Sequence, residues 1–354
     1  MNKKMNKKKI AVVFGGHSTE YAVSLQSAYA VLSNLNTEKY DIIPIGISKS
    51  GEWFRFYGIY EKIQNNTWLE DKAKLTPVIV SPNRSIHGII ELNSNGNKST
   101  KLNAAFPVLH GKNGEDGTVQ GLFELAGIPL VGCDTLCSAL CMDKDRAHVL
   151  VHSAGISVPQ SVVIRLGIKD KSLFTLTQDL KYPLFVKPVR AGSSFGISKI
   201  KSCKDLFSAV QIAFEHDNEV IIEENIDGFE VGCAILGNSD LLVGRIDEIE
   251  LTDGFFDYTE KYTLKSSKIH MPARIDEVTE KKIQETAKVI YKALACSGFS
   301  RVDMFLTPNN DIVFNEVNTI PGFTSHSRYP NMMKDIGLSF EEVLDRLIGL
   351  SEAK

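Results

Sequence analysis

The sequence predicts a mixed α/β chain of two or three domains that opens with a doubly wound sheet. Three observations carry this. The chain has 354 residues, too many for one hydrophobic core. Ile10–Phe14 is a continuous apolar run closed by Gly15-Gly16, the pattern of a buried parallel strand that feeds a helix. The stretch from Val23 to Leu35 reads as that helix and "DIIPIGIS" as the next strand, a βαβ rhythm.

The following elements extend the pattern. Residues 51–100 are polar and irregular, with "SPNRS" and "NSNGNKS" as turn clusters, so strands joined by long loops are expected. "AAFPVLHGKNGEDG" is a strand ending in glycines, and "TVQGLFELAG" is a helix that stops at Gly127. A boundary is expected near "SALCMDKDRAHVL", which closes a first domain at 1–142. The second, 143–229, holds a strand at 184–188, a glycine-serine loop at 190–196, a helix at 203–216 and a strand at 219–224. The third, 230–354, contains a clear amphipathic helix, with Ile283, Ala287, Ile290 and Leu294 at spacing 4-3-4.

Composition narrows the function. The net charge of -3 argues against nucleic acid, which calls for a basic face. The basic lead "MNKKMNKKK" is followed by too short an apolar run for a signal peptide, and no run reaches membrane-spanning length. Cys133, Cys137 and Cys141 recur every four residues, but the sequence offers no second pair to complete a zinc site, so reduced thiols of a cytoplasmic protein are expected.

The sharpest chemistry lies in "SRVDMFLTPNNDIVFNEVNT". With Asn309-Asn310 as a two-residue turn, Pro308 faces Asp311, Asp303 faces Glu316 and Arg301 faces Asn318. Alternation then puts all four polar residues on one face. Like charges directly opposite each other destabilise a sheet, unless a cation lies between them. Two carboxylates and an amide oxygen suit Mg²⁺, whose shell phosphate oxygens would complete. The bland alternative is a solvated acidic face neutralised by Arg301.

"FVKPVRAGSSFGISKI" places Lys187 at a strand end before a Gly-Ser-Ser-x-Gly loop, able to meet phosphate oxygens with N–H groups and hydroxyls. It lacks the Gly-Lys-Ser/Thr of a P-loop. In "VIIEENIDGFEVG", Glu223 and Glu224 must face opposite ways, and Glu230 could meet ribose hydroxyls.

Seven separated segments then carry a resemblance: "GGHSTEYAVSLQSA", "LHGKNGEDGTVQGLFELAGIP", "MDK", "KPVRAGSSFGISKI", "DYTEKY", "SRVDMF" and "NEVNTIPGFTSHS". In this order they resemble D-alanine–D-alanine ligases, members of the ATP-grasp superfamily. The resemblance implies an α/β and α+β architecture: an N-terminal Rossmann-like domain, then two α+β domains that hold ATP between them. It implies ATP, two Mg²⁺ ions (or Mn²⁺), and a homodimer. It also implies that ATP phosphorylates a first D-alanine, whose acyl phosphate the amine of a second D-amino acid attacks.

Residue by residue, the resemblance puts Lys144, Lys187 and Ser194 at the phosphates, Glu223, Glu224 and Ile226 at adenine and Glu230 at ribose. Lys261 would close over the γ-phosphate, and Asp303, Glu316 and Asn318 would hold the metals. Arg301 and the N–H of Gly322 would stabilise the oxyanion, and Glu20, Ser193 and Tyr262 would form a hydrogen-bonded triad. His110 would lie near the first substrate and Ser327 would bind the second substrate's carboxylate. The chain departs from the common pattern with Ala191 in place of an acid and Glu224 in place of a lysine.

The family usually has leucine or methionine where this chain has Arg328, and tyrosine where it has Phe256. Arginine with phenylalanine resembles D-alanine–D-serine ligases, the vancomycin-resistance enzymes of the VanG type. The expected substrates are therefore D-alanine and D-serine. The alternatives are a D-alanine–D-alanine ligase, a silent nucleotide-binding module, and a metal hydrolase built on Asp303 and Glu316. Read alone, Arg328 would be a surface arginine beside an acid.

Overall fold

The computed structural model describes residues 7–192, 195–251 and 267–353. Three sheets follow one another along the chain. The first contains β1 (Lys8–Gly15), β2 (Tyr40–Ile47), β3 (Trp53–Phe56), β4 (Leu75–Val80), β5 (Gly88–Glu91), β6 (Lys98–Lys101) and β7 (Ala104–Pro107), in the order β6-β5-β4-β3-β2-β1-β7. β1 pairs in parallel with both β2 and β7, and β3 to β6 extend the sheet antiparallel. The doubly wound centre expected from the sequence is therefore present, and the irregular stretch after it forms the extension.

Period-two alternation splits β1 between two cores. Ile10, Val12 and Phe14 enter one, together with α1 (Tyr21–Asn34) and Trp68. Ala11 and Val13 enter the other, covered by Val119 and Phe123. Those two residues belong to α3 (Thr118–Leu125), and a short α2 (Glu61–Gln64) precedes it. Next come α4 (Thr135–Met142) and α5 (Lys144–Ser153), capped by Asp134 and Asp143, whose carboxylates accept from the N–H of Cys137 and Arg146.

The second sheet contains β8 (Ser161–Arg165), β9 (Leu184–Pro188), β10 (Ser198–Ile200) and β11 (Glu219–Glu224), ordered β10-β9-β11-β8. α6 (Asp170–Thr177) and α7 (Leu206–Phe214) supply Leu173, Leu206 and Val210 to the core on one face. On the other face Lys187 stands opposite Ile221, and Phe185 opposite Glu223.

The third sheet contains β12 (Phe229–Leu236), β13 (Leu242–Leu251), β14 (Ser267–His270), β15 (Phe299–Leu306) and β16 (Ile312–Asn318), ordered β14-β13-β12-β15-β16. One face packs on α8 (Glu277–Ala293), whose Ile283, Ala287 and Ile290 are buried, as is Leu294 just beyond it. The opposite face meets α9 (Arg328–Asp335) through Ala234, Leu236, Tyr329 and Met332. α10 (Phe340–Glu352) starts with a capping box at Ser339 and Glu342. Its Val343, Leu344, Leu347 and Ile348 join the same core as β1 and α1.

The β15–β16 hairpin corrects the predicted turn. The loop has three residues, not two: the Thr307 N–H donates to Asp311 O at 2.9 Å, and Asn310 adopts φ 62°. Leu306 therefore faces Ile312, one step off the expected count. A β-bulge at Asn315 restores that step, so Asp303 faces Glu316 and Arg301 faces Asn318 after all.

Candidate active site

A cleft of about 1150 Å³ runs between the sheets. The hairpin forms its floor, because alternation along β15 and β16 aims Arg301, Asp303, Glu316 and Asn318 into it. Asp303 is almost fully buried and receives the Arg301 fork (Nη2 to Oδ2, 2.7 Å) and Asn318 Nδ2 at 2.9 Å. Burial disfavours charge on Arg301, but the adjacent Asp303 carboxylate outweighs it and holds the guanidinium above its ordinary range. Two facing carboxylates, with the Asn318 amide two positions along β16 and hydrogen-bonded to Asp303, form a hard oxygen donor set, which fits Mg²⁺.

The first sheet delivers Glu20, at the start of α1, and His110, past the end of β7. The Glu20 carboxylate is wedged between two glycines. A Cβ on Gly111 would lie 2.2 Å from its Oε2, and one on Gly192 would lie 2.7 Å away. Gly192 belongs to the glycine-serine loop, so Glu20 packs against that loop; the other two members of the expected triad, Ser193 and Tyr262, lie outside the described residues. His110 Nε2 is 3.2 Å from Ser27 Oγ, and burial pulls its pKa down to about 4, so the ring is neutral at pH 7. Lys144, the first residue of α5, donates from Nζ to Ala191 O at 2.8 Å and so reaches the glycine-serine loop.

Other expected nucleotide residues lie on the second sheet. Glu223 is buried and its carboxylate pairs with Lys187 Nζ, so the acid expected at adenine and the lysine expected at phosphate meet directly. Glu224 points the other way and accepts from the Lys181 N–H at 2.8 Å. Ile226 is half-buried just beyond β11. Ser193, Ser194, Phe256, Lys261 and Tyr262 lie outside the described residues.

The far wall holds Gly322, Ser327 and Arg328. Ser327 Oγ accepts from the Thr324 N–H at 3.0 Å, which folds the loop before α9. Arg328 is no surface residue. It is buried and its fork grips Asp247 through Nε to Oδ2 and Nη2 to Oδ1, both at 2.7 Å. Its Nη1 reaches Glu230 Oε1 at 2.9 Å and lies 3.5 Å from Asp303 Oδ1. Burial disfavours charge on Arg328, but the Asp247, Asp303 and Glu230 carboxylates outweigh it and hold its pKa well above the ordinary value. Glu230, expected at ribose, thus joins the Arg328 cluster.

Sequence reasoning missed Asp247 and Glu115. Asp247 is fully buried on β13, and its partner Arg328 is remote in sequence, so no local pattern marks it. Glu115 lines the cleft and accepts from the N–H of Gly111 at 2.7 Å and of Ile320 at 3.3 Å. Burial and the neighbouring Glu20 push its pKa up to about 8, so at pH 7 it carries a proton. Its position in "HGKNGEDG" was a signal that went unused.

Known proteins resemble this chain over nearly its whole length. Residues 9–133 match the D-ala D-ala ligase N-terminus and residues 150–349 the D-ala D-ala ligase C-terminus. The crystal structure of VanG D-Ala:D-Ser ligase from Enterococcus faecalis is similar, with a TM-score of 0.92 and 67% identity over 98% of this chain and 100% of that one. The vancomycin B-type resistance protein VanB of Enterococcus faecalis is 45% identical over 98% of this chain and 99% of its own. A D-alanine–D-alanine ligase of Caldicellulosiruptor bescii is 41% identical over 99% of this chain and 96% of its own. With both of its parts matched and the acidic hairpin at the floor of the cleft, the chain belongs to the D-alanine–D-alanine ligase family and has the ATP-grasp fold.

Proposed function

We propose that the protein is an ATP-dependent ligase that joins D-alanine to D-serine and so makes the altered peptidoglycan precursors of vancomycin resistance. A carboxylate oxygen of D-alanine attacks the γ-phosphorus of ATP, and ADP leaves. The amine of D-serine, after losing a proton, attacks the acyl carbon, and phosphate departs from the tetrahedral intermediate. The protein's work is positioning and charge neutralisation. Glu20 and neutral His110 hold the first substrate, Lys144 and Lys187 meet the phosphates, and Arg301 with the Gly322 N–H stabilises the oxyanion. Asp303, Glu316 and Asn318 would hold Mg²⁺, which neutralises phosphate charge when bound.

The observation that carries the D-serine reading is the Arg328–Asp247 pair in the cleft wall. D-serine exceeds D-alanine by one hydroxyl. An apolar pocket discriminates weakly against such an addition, whereas fixed polar groups that need the hydroxyl reject the analogue lacking it. Asp247 and Glu230 together lock the guanidinium in one orientation, so that hydroxyl would meet a preorganised cluster of Arg328 and its carboxylates.

The test is phosphate release with D-alanine alone and with D-alanine plus D-serine. D-serine should be the preferred second substrate, and equal or better use of D-alanine would refute the specificity. Arg328→Met alone would strand Asp247 in the interior, a loss of about 3–5 kcal/mol. The double variant Arg328→Met, Asp247→Asn removes both charges and should shift preference toward D-alanine. If no D-amino acid pair yields ADP, the chain is a silent nucleotide-binding module.

A further inference from the structure

The sequence shows three cysteines at four-residue intervals and nothing to complete them. The fold supplies what is missing. Cys133 precedes α4, Cys137 lies in its first turn and Cys141 in its second. Cys296 arrives from just beyond α8, 159 positions after Cys137, and brings its Sγ to 3.5 Å from that of Cys137. Cys137 and Cys141 are 3.8 Å apart at sulfur, and the Sγ atoms of Cys133, Cys137 and Cys296 all lie within 4.8 Å of one another.

We propose that Cys133, Cys137 and Cys296 bind one thiophilic ion of the zinc class, with Cys141 as the sulfur nearest the cleft. Zinc–sulfur bonds of about 2.3 Å in a tetrahedral shell place the sulfurs about 3.8 Å apart. The Cys137–Cys296 pair, at 3.5 Å, is close to that edge length before any ion binds, and the Cys133 sulfur lies within 4.8 Å of both. All four are buried in a core whose neighbours include Ala147, Val151 and Ile290, and sulfur alone selects against Mg²⁺ and for soft ions. Cys141 lines the active-site cleft and gives the ion a route inward.

Binding by the three ligands exchanges three thiol protons for metal–sulfur bonds, and the protons leave to solvent, so affinity falls as pH falls. The Cys133 thiol gives up its weak bond to Ser297 O, now 3.4 Å. The ion joins α4 to the segment entering β15, which carries Arg301 and Asp303, and α4 itself leads into Lys144. The site thus clamps two catalytic segments from behind.

The experiment is a Co²⁺ titration of the whole reduced protein, without oxygen, in excess Mg²⁺ so that the oxygen site is already occupied. One equivalent should raise a thiolate-to-cobalt charge-transfer band that Zn²⁺ abolishes, and Zn²⁺ should raise Tm. Cys137→Ser and Cys296→Ser should each lose the band, whereas Cys203→Ser, at the exposed cysteine, should keep it. No band from the folded wild-type protein, or a band that survives both substitutions, would overturn the site and leave four small apolar side chains. Should the variants not fold, alkylation of the wild-type chain decides: Zn²⁺ must protect Cys133, Cys137 and Cys296, and equal labelling with and without Zn²⁺ refutes the proposal.

Discussion

Gly232 lies beneath the Arg328 fork. A Cβ there would stand 2.3 Å from Arg328 Nη2 and 2.6 Å from Asp247 Oδ1, so the pair exists only because that strand position has no side chain. Gly232→Ala should therefore displace the guanidinium. We expect a loss of about 1–3 kcal/mol in urea unfolding and a larger fall in kcat/KM with D-serine than with D-alanine as second substrate. Unchanged D-serine use would separate the arginine from specificity. At this scale the sequence was legible where residues sit close together. Arg301, Asp303, Glu316 and Asn318 came from counting along one hairpin. Asp247 and Cys296 did not, because each acquires its partner only through the tertiary fold. Arg328 was flagged by resemblance, yet its burial and its grip on Asp247 depend on β13 facing α9.

Among elements, the β15–β16 hairpin shows how a correct register can come from an incorrect turn. A loop one residue longer than expected and a bulge at Asn315 cancel each other. The bulge went unread although "DIVFNEVN" breaks alternation there, with three apolar residues in a row and then two polar ones. Its carbonyl accepts His148 Nε2 at 3.3 Å, so the extra residue docks the hairpin on α5. The long amphipathic α8 was plain from spacing, whereas β8 and α6, short and weakly patterned, were missed. Caps are the elements' own signals. The Ser339–Glu342 box opens α10, with Ser339 Oγ accepting at 3.2 Å. Ser339→Ala should cost about 1 kcal/mol by urea unfolding, and no loss would mean that packing alone starts the helix.

For the whole molecule, buried titratable groups set the pH range of stability. His110 and His148 are held at about 4 by burial, against an ordinary 6.5. Between those values the unfolded chain binds their protons and the native one does not, so stability falls as pH drops from 6.5 toward 4. Glu115 acts in the opposite sense. Its pKa rises from 4.5 to about 8, so the native state keeps a proton that the unfolded chain loses, and stability falls as pH rises through that window. The ligand-free protein should show maximal Tm near the crossover, close to pH 6.5. Glu115→Gln should flatten the alkaline limb and steepen the acid limb, by about 1.4 kcal/mol per pH unit for the one proton removed. An unaltered profile would count against a protonated Glu115.

The shared core has a consequence for how the chain is made. Ile10, Val12 and Phe14 on the first strand are packed beside Leu344, Leu347 and Ile348 on the last helix, and Lys8 pairs with Glu352 at 2.7 Å. During translation, domains near the N-terminus ordinarily fold as they emerge. Here the apolar face of β1 and α1 must wait, partly uncovered, for residues made more than 300 positions later. A ribosome-stalled nascent chain ending before Phe340 should stay protease-sensitive in its first hundred or so residues (about a third of the chain), and release of the full chain should abolish that sensitivity.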